Sequence, residues 1–552
     1  MTDEPAQTKP PNGAALRRAD RWRWARLEST PMTIAFWSAV AVYVLAFWIT
    51  PFPPCIDYPQ HLAIGALIRR LMVPGAAEHA TYVFTPLTYN GLFHVVVAVL
   101  SLVFPPEISG KILLSLIPIG TGASALALLR VARRPLWYAF LILPFSYSYI
   151  VGWGFINYSL GVPLAFFILA WWMRWRDGER TLLPWIIAAA LTLAYAHVLA
   201  MLCLCISIGV ATLAWRLPRE VGVQEWLRGL VTAPLPVLPG ALYCVVAFLY
   251  HRVAPNIYWE PQKDGTDVQA WSKLWDVSLY AVNNLSSQLD RALFILALAL
   301  VAALWITSLF VPTPPNADPG EQAEQAAPSS APRREFVALT GVWFVLYLVT
   351  PRVLMSTWWI FERLPIWWFL FLLAITPRLA DRVVAWIRLG AAGVGVVASL
   401  ITAQAFYAIP DARDANAIID DIPEGSHVVA LMYSVSASPA IWREMWVHQL
   451  AYYLVRRRGE IAFDFTRYAS IPVRRRDAGK PPLFPSSLEW NAPRYDPHAP
   501  YGAAFPIVLV RTPDEAPNED PRERAFGFEA SEVRVLSHRG RFWLLDASGV
   551  YR

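Results

Sequence analysis

The chain has 552 residues, of which 56% are hydrophobic and only 16% are charged, whereas about 25% of the residues in an ordinary globular domain are charged. This composition excludes a purely water-soluble enzyme and predicts a mostly α-helical, polytopic membrane protein. The formal net charge of +6 does not require a nucleic-acid partner, because the arginines cluster where a positive-inside bias would put them.

A polar, arginine-rich segment at 1–32 is predicted to be a cytoplasmic tail, and the membrane domain follows at 33–408. A membrane-spanning helix needs about 20 apolar residues. The run 182–215 is too long for one helix and has arginines at both ends, so we expect it to cross twice and to turn near His197. About eleven spans are predicted: 33–52, 109–130, 135–151, 155–174, two within 182–215, 228–250, 291–312, 335–351, 364–378 and 384–408.

The segment 87–104 decides the orientation of the whole chain. If it lies along the membrane surface, within a first outer loop at 53–108, nearly all the short-loop arginine clusters fall on the inner side. We therefore expect a cytoplasmic N-terminus, a disordered cytoplasmic linker at 312–334 and an outer domain at 409–552. A helix over 57–74 is predicted to lie beside the membrane, with Arg69 and Arg70 reaching the headgroups.

The C-terminal region alternates strand and helix patterns and predicts a small α/β domain. Strands are expected at His427–Tyr433 and Phe505–Arg511, and a hairpin at Val533–Leu545. The segment Ala440–Arg457 is predicted to be one amphipathic helix. Its aromatic stripe, which includes His448, is expected to belong to the hydrophobic core of the domain.

Just after the first span stands Cys55-Ile56-Asp57-Tyr58-Pro59-Gln60-His61-Leu62. Asp57 and Gln60 fit a helix capping box, with Pro59 tolerated in the first turn. An acid at this place on the outer face could equally serve as a catalytic base, and one residue could do both. His61 is expected to point toward the helix bundle, either as a satisfied interfacial histidine or as a substrate contact.

This layout resembles the GT-C superfamily of integral membrane glycosyltransferases, which includes protein O-mannosyltransferases and the aminoarabinose transferase of lipid A. The similarity rests on one span followed by an outer loop with an acid at Asp57, on the apolar outer segment 87–104, and on the outer C-terminal domain. The run from Gly152 to Gly161 (GWGFINYSLG) also resembles a segment of bacterial relatives.

The resemblance implies inverting transfer of a sugar from a polyprenyl-phosphate carrier to an acceptor glycan, lipid or protein at the outer face of a bacterial inner membrane. Asp57 would be the general base, and Arg352 and Arg363 would bind the lipid phosphate, unless they merely anchor helix ends in the headgroup layer. His61, Asn157, Tyr158 and His197 are the other candidate contacts with the substrate, with helix capping or a turn position as the alternative.

No cofactor is expected. Asp57 has no acidic neighbour in its motif, and the nearest outer acids are Glu78 and Glu107. A divalent metal is doubtful, because hard cations usually take several oxygen ligands. A transporter or flippase for a lipid-linked solute, or a non-catalytic envelope assembly protein, remains an alternative. The low charge within the spans favours chemistry at one face over transport.

Overall fold

The computed structural model describes residues 26–215, 218–253, 268–311, 333–354, 357–436, 439–468, 470–476, 484–485 and 488–551. Most of the predicted tail at 1–32 and of the linker at 312–334, and part of the loop 251–290, lie outside the described residues.

Among the described residues, eight helices are long and apolar enough to cross a membrane. Each falls on a predicted span, and so do three shorter helices at Leu183–Ala196, Arg334–Val349 and Pro365–Ile375. The mostly α-helical membrane fold class is confirmed. The eight are Thr30–Ile49, Pro106–Val131, Leu136–Trp153, Ile156–Arg176, Val198–Trp215, Val223–His251, Leu289–Phe310 and Val383–Tyr407.

Shorter helices connect these spans or lie beside them. Leu136–Trp153 consists of a 3₁₀ segment, Leu136–Tyr147, and a short α-helix, Tyr149–Trp153. The helix Leu92–Leu100 has nine residues, too few to cross a bilayer core. Val223–His251 likewise consists of Val223–Thr232, Leu235–Val237 and the start of Leu238–Val253. The remaining short helices before the C-terminal domain are Tyr58–Leu71, Glu78–Thr81, Arg180–Leu182, Pro218–Val221, Ala270–Trp275, Val277–Val282 and Phe361–Arg363.

The helix Tyr58–Leu71, which we call the junction helix, joins the membrane domain to the C-terminal domain. Twelve of its fourteen residues are buried. Its apolar stripe, which includes Ile64 and Leu67, packs in one core cluster with residues of the C-terminal domain, so this stripe faces protein. Arg70 donates to the carbonyl oxygen of Val455 and does not reach outward.

The C-terminal domain contains a five-stranded mixed sheet, whose strands are β2 (His427–Met432), β3 (Glu460–Ile461), β5 (Ile507–Arg511), β6 (Arg534–Arg539) and β7 (Phe542–Asp546). Their order in the sheet is β3-β2-β5-β7-β6. Strands β2 and β5 are parallel, whereas β7 is antiparallel to both β5 and β6. The predicted strands and the hairpin are confirmed.

Two further strands cross between the domains. Strand β1 (Tyr82–Phe84), in the first outer loop, pairs antiparallel with β4 (Val473–Arg475). Sequence patterns did not predict this pairing. The helices of the C-terminal domain are Ala412–Asp421, Ala451–Arg456, Phe465–Arg467, Ala492–Arg494, Pro500–Ala504, Pro521–Phe526 and Gly527–Glu532.

The prediction of one helix over Ala440–Arg457 is wrong for its first half. Only Ala451–Arg456 is α-helical. Ile441 forms an antiparallel bridge with Leu285, and Ser286 donates its N–H to the carbonyl oxygen of Ala440. Backbone groups that pair with a loop of the membrane domain cannot also form the hydrogen bonds of a helix. The first half of this segment therefore forms turns that contact the membrane domain.

Candidate active site at the domain junction

Asp57 stands immediately before the junction helix, in the N-cap position, but its side chain makes no capping hydrogen bond. The predicted capping box is therefore not formed. The amide of Gln60 points instead at the C-terminal domain, where it donates to the carbonyl oxygen of Phe463 and accepts from the N–H of Phe465, both at 3.2 Å. The carboxylate of Asp57 is left available for other partners.

The Gly-Trp-Gly motif holds the backbone of Asp57. The N–H groups of Ile56 and Asp57 donate to the carbonyl oxygens of Gly152 and Trp153, at 3.0 and 3.1 Å. Gly154 has a φ of 87°, and a Cβ there would lie 2.5 Å from the nitrogen of Asp57. Only glycine fits this approach and this backbone region comfortably. The two motifs that carry the family resemblance therefore meet in space.

The carboxylate of Asp57 faces a histidine of the C-terminal domain. Oδ1 of Asp57 lies 3.4 Å from Nε2 of His448, and Nδ1 of the same imidazole lies 2.8 Å from Oε2 of Glu489. We call these three residues the acid–histidine array. Burial opposes charge on His448, but Glu489 and Asp57 outweigh it and raise the pKa of His448 to about 9, so that it is an imidazolium at neutral pH.

A second cluster surrounds Arg363. Its guanidinium is buried, donates to the carbonyl oxygens of Trp358 and Trp359, and lies over the ring of Tyr158. The hydroxyl of Tyr158 in turn donates to the carbonyl oxygen of Arg363 at 2.7 Å. Burial lowers the pKa of Arg363 to about 10, which leaves it a cation at neutral pH.

His197 and Arg363 present two donors to each other. The N–H of Leu199 donates to Nδ1 of His197 at 3.1 Å, so the proton of the neutral imidazole lies on Nε2. That nitrogen lies 3.3 Å from Nη1 of Arg363. Both nitrogens are therefore hydrogen-bond donors, and neither can accept from the other. An anion placed beside both would supply the acceptor.

The two clusters are joined by stacked tryptophans. The ring of Trp153 stacks on that of Trp359 with 4.6 Å between centroids, and the carbonyl oxygen of Trp359 accepts from Arg363. The charge of Asp57 also acts on Arg363 and favours its cationic form. Trp490, next to Glu489, is 39% exposed and lies edge-on to His448, so the site has an aromatic rim.

A small pocket of about 30 Å³, which we call the groove, lies beside Arg363 in the membrane domain. Tyr158, Glu362 and Arg363 line its polar end, and apolar side chains of four spans line much of the rest. The apolar lining includes Ile117, Phe145, Val162, Pro163 and Ile366.

The other residues singled out from the sequence have structural partners. Asn157 accepts from the N–H of Phe93 and donates to the carbonyl oxygen of Asn90, so it fixes the loop before the helix Leu92–Leu100. Nδ1 of His61 lies 2.9 Å from Nε2 of His94. Burial lowers the pKa of His61 to about 4, and it is neutral.

Arg352 pairs with a buried acid. Its Nε lies 2.7 Å from Oε1 of Glu362, and its guanidinium lies over the ring of Trp359. Arg352 and Arg363 therefore flank the same tryptophan, and with Glu362 they leave one net positive charge at the polar end of the groove.

Sequence reasoning missed the array itself. His448 was assigned to an aromatic core stripe, and Glu489 carries no local signal because it lies far along the chain in an irregular segment. The first-loop acids are used elsewhere: Glu107 pairs with Arg456 at 3.0 Å, and Glu78 lies beside Arg70. The second carboxylate near Asp57 is Glu489, supplied by the other domain.

Within the described residues, no group of three or more His, Cys, Asp or Glu side chains is arranged to hold a metal ion. The expectation about metals stays a prediction, and the four cysteines are free thiols.

No protein-family model matches the chain, and no curated protein matches its sequence. Among solved structures, the chain is similar to the crystal structure of ArnT from Cupriavidus metallidurans in the apo state. The two share 13% sequence identity and a TM-score of 0.52, and the match covers 94% of this chain and 98% of that one. ArnT is an aminoarabinose transferase of the GT-C family. At this identity the likeness shows the fold, which agrees with the architecture that the sequence resemblance implies.

Proposed function

We propose that this protein is a membrane glycosyltransferase that moves a sugar from a polyprenyl-phosphate donor to an acceptor on the outer face of the membrane, with Asp57 as general base. The observation that carries the proposal is the position of Asp57. In a GT-C fold, its carboxylate lies at the junction of the two domains, beside His448 and near enough to Arg363 for its charge to act on that guanidinium.

The transfer is a single displacement that inverts the anomeric carbon. An acceptor hydroxyl attacks C1 of the sugar, the bond between C1 and the phosphate oxygen breaks, and the polyprenyl phosphate leaves with the electron pair. Asp57 takes the proton of the hydroxyl. One of its oxygens faces His448, and the other is available to the acceptor.

The donor phosphate is expected to bind between His197 and Arg363. Neither side chain offers the other a hydrogen-bond acceptor, so both have an N–H group for the phosphate. The net positive charge of Arg352, Glu362 and Arg363 together balances the negative charge of the phosphate. Tyr158, Asn157 and His61 act through position: Tyr158 holds the backbone of Arg363, and the other two hold the first outer loop.

The proposal includes the sidedness of the chain. In a bacterial inner membrane, the arginine clusters keep the N-terminus cytoplasmic and the C-terminal domain periplasmic. The acceptor then approaches from the periplasm, past the rim formed by Trp490.

The test is an Asp57→Asn substitution in the full chain. Membrane vesicles that contain the protein are supplied with undecaprenyl phosphate carrying tritiated hexoses, aminosugars or pentoses in turn, and transfer of label to endogenous acceptors is measured. Loss of the general base should reduce transfer by about 10²- to 10⁴-fold, while Glu424→Gln, which removes an exposed acid of the C-terminal domain, should leave it unchanged.

Envelope glycans of cells that carry each variant provide the second readout. We expect the Asp57→Asn strain to resemble a deletion strain although its protein level is normal. Normal glycans and normal label transfer in that strain would overturn the base assignment and would favour an assembly protein. Accumulation of the lipid-linked donor on the cytoplasmic face would instead indicate a flippase.

A further inference from the structure

We propose that the C-terminal domain completes the active site, with His448 as a positioning residue that orients the carboxylate of Asp57 and Glu489 as the residue that orients His448. This inference rests on the proposed function, because it assigns a role to the surroundings of the proposed base.

The geometry distinguishes the two faces of the imidazole. Nε2 is directed at Asp57 and Nδ1 at Glu489, at 3.4 and 2.8 Å. The ring lies nearly parallel to that of Phe463, with 5.7 Å between centroids. His448 and Glu489 are both about 3% exposed. A buried imidazole between two carboxylates has one orientation available, and it transmits that orientation to Asp57.

The charges around the array favour a protonated imidazole. Asp57 and Glu489 stabilise the imidazolium, and Asp464 adds a further negative charge near Glu489. Burial raises the pKa of Glu489, whereas His448 and Arg467 favour its charged form, and His61 is neutral. The imidazolium between the two acids fixes Oδ1 of Asp57 and leaves the other oxygen outside this contact.

Docking of the domain does not need this contact. Arg443 donates to the carbonyl oxygen of Asn283 at 2.8 Å and to the side chain of Asn284 at 3.0 Å. Arg456 pairs with Glu107, and strands β1 and β4 form a sheet across the junction. A buried ion pair is weak support for stability in general, so we assign the array to the orientation of Asp57 and not to assembly.

The first test measures the protonation of His448 without any substrate. The full chain is labelled with ¹³C at the Cε1 of histidine and titrated by NMR in nanodiscs, with His448→Gln used to assign the signal. We expect His448 to stay protonated up to about pH 9. Asp57→Asn and Glu489→Gln should each lower that midpoint by about one unit or more.

The matched control is His498, a histidine of the same domain that pairs with Glu529 at 3.2 Å but is 59% exposed. Neither Asp57→Asn nor Glu489→Gln should change its NMR signal. A midpoint of His448 near that of a free histidine, or one that Asp57→Asn leaves unchanged, overturns the inference. Where His448→Gln does not accumulate, substitution of the other eight histidines, one at a time, assigns the His448 signal by elimination.

The second test uses label transfer from the undecaprenyl-phosphate sugar. His448→Gln should lower kcat by about 10- to 100-fold, because a misplaced base loses alignment, and should change KM for the donor less than twofold. We expect the wild-type protein to lose activity above about pH 9, where His448 gives up its proton. The variant should show no such loss. His498→Gln should behave as wild type.

The two proposals fail differently. Full transfer by Asp57→Asn contradicts the proposed function itself. No transfer by Asp57→Asn, together with full transfer and an unchanged pH profile in His448→Gln, contradicts only the role of the C-terminal domain.

Discussion

The N–H of Asp57 donates a 3.1 Å hydrogen bond to the carbonyl oxygen of Trp153, and this bond joins the two motifs that sequence inspection singled out. The ring of Trp153 stacks on Trp359, whose carbonyl oxygen accepts from Arg363. The proposed base and the proposed phosphate ligand are therefore positioned by two stacked tryptophans, Trp153 and Trp359, which makes the backbone around them as important to the site as the charged side chains.

Replacing Gly154 with alanine should disturb Asp57 directly. The new Cβ would lie 2.5 Å from the nitrogen of Asp57, and the φ of 87° adds strain of about 1–3 kcal/mol. The hydrogen bond to Trp153 must lengthen or the backbone must shift. We expect a lower midpoint of thermal unfolding in detergent, together with a loss of label transfer that exceeds the loss of folded protein.

Gly75→Ala separates the two effects. Gly75 has a φ of 76°, close to that of Gly154, but nothing lies within 4 Å of its added Cβ. This variant should show the strain alone and keep its specific activity. Equal losses of specific activity in the two variants would mean that contact with Asp57 is unimportant.

Replacing Gln60 with leucine should loosen the junction. The side chain of Gln60 satisfies the carbonyl oxygen of Phe463 and the N–H of Phe465, and leucine can satisfy neither. A buried polar group left without a partner costs about 1–3 kcal/mol. We expect a lower unfolding midpoint in detergent and faster tryptic cleavage at Arg467, which lies in the adjacent segment.

Gln404→Leu is the matched control, because Gln404 is an exposed glutamine of a membrane helix. It should change neither the unfolding midpoint nor the rate of cleavage at Arg467. If Gln60→Leu is as stable and as resistant to trypsin as the control, its bonds to the C-terminal domain contribute little to docking.

Much of the fold could be predicted from sequence because hydrophobic length and loop charge are local signals. They located the eight helices that are long and apolar enough to cross a membrane, and they predict that 87–104 lies along the membrane surface. Periodicity also identified β2, β5 and the hairpin of β6 and β7. It failed at Ala440–Arg457, where pairing of Ile441 with Leu285 overrides the amphipathic pattern.

The candidate site was only half accessible to the same reasoning. Asp57 and Gly154 lie in recognisable motifs, whereas His448 and Glu489 come from segments whose local patterns indicate core and loop. Their meeting with Asp57 depends on how the C-terminal domain docks, which is a long-range property. The burial of the junction helix has the same origin: its apolar stripe could have faced lipid as well as a sheet.

The last prediction concerns Glu362, whose side chain is fully buried beside Arg352. Burial raises the pKa of Glu362 from 4.5 to about 7, although Arg352 opposes the rise. The folded protein therefore holds a proton that the unfolded chain releases near pH 4.5. The associated stability is complete below about pH 4.5 and is lost as the pH rises through about 7.

Glu362→Gln removes this titration with little change in shape. Relative to the variant, the wild-type protein should lose about 1–3 kcal/mol of unfolding free energy between pH 5 and pH 8, as measured by chemical unfolding in detergent. Other titrating groups cancel in the difference between the two proteins, and Glu424→Gln, at an exposed position, should show no such slope. Arg352→Gln should move the decline to higher pH, because the acid then loses the cation that favours its charged form. A difference between wild type and Glu362→Gln that does not change with pH would mean that Glu362 is ionised in the folded protein throughout this range, and that its protonation adds nothing to the net positive charge at the polar end of the groove.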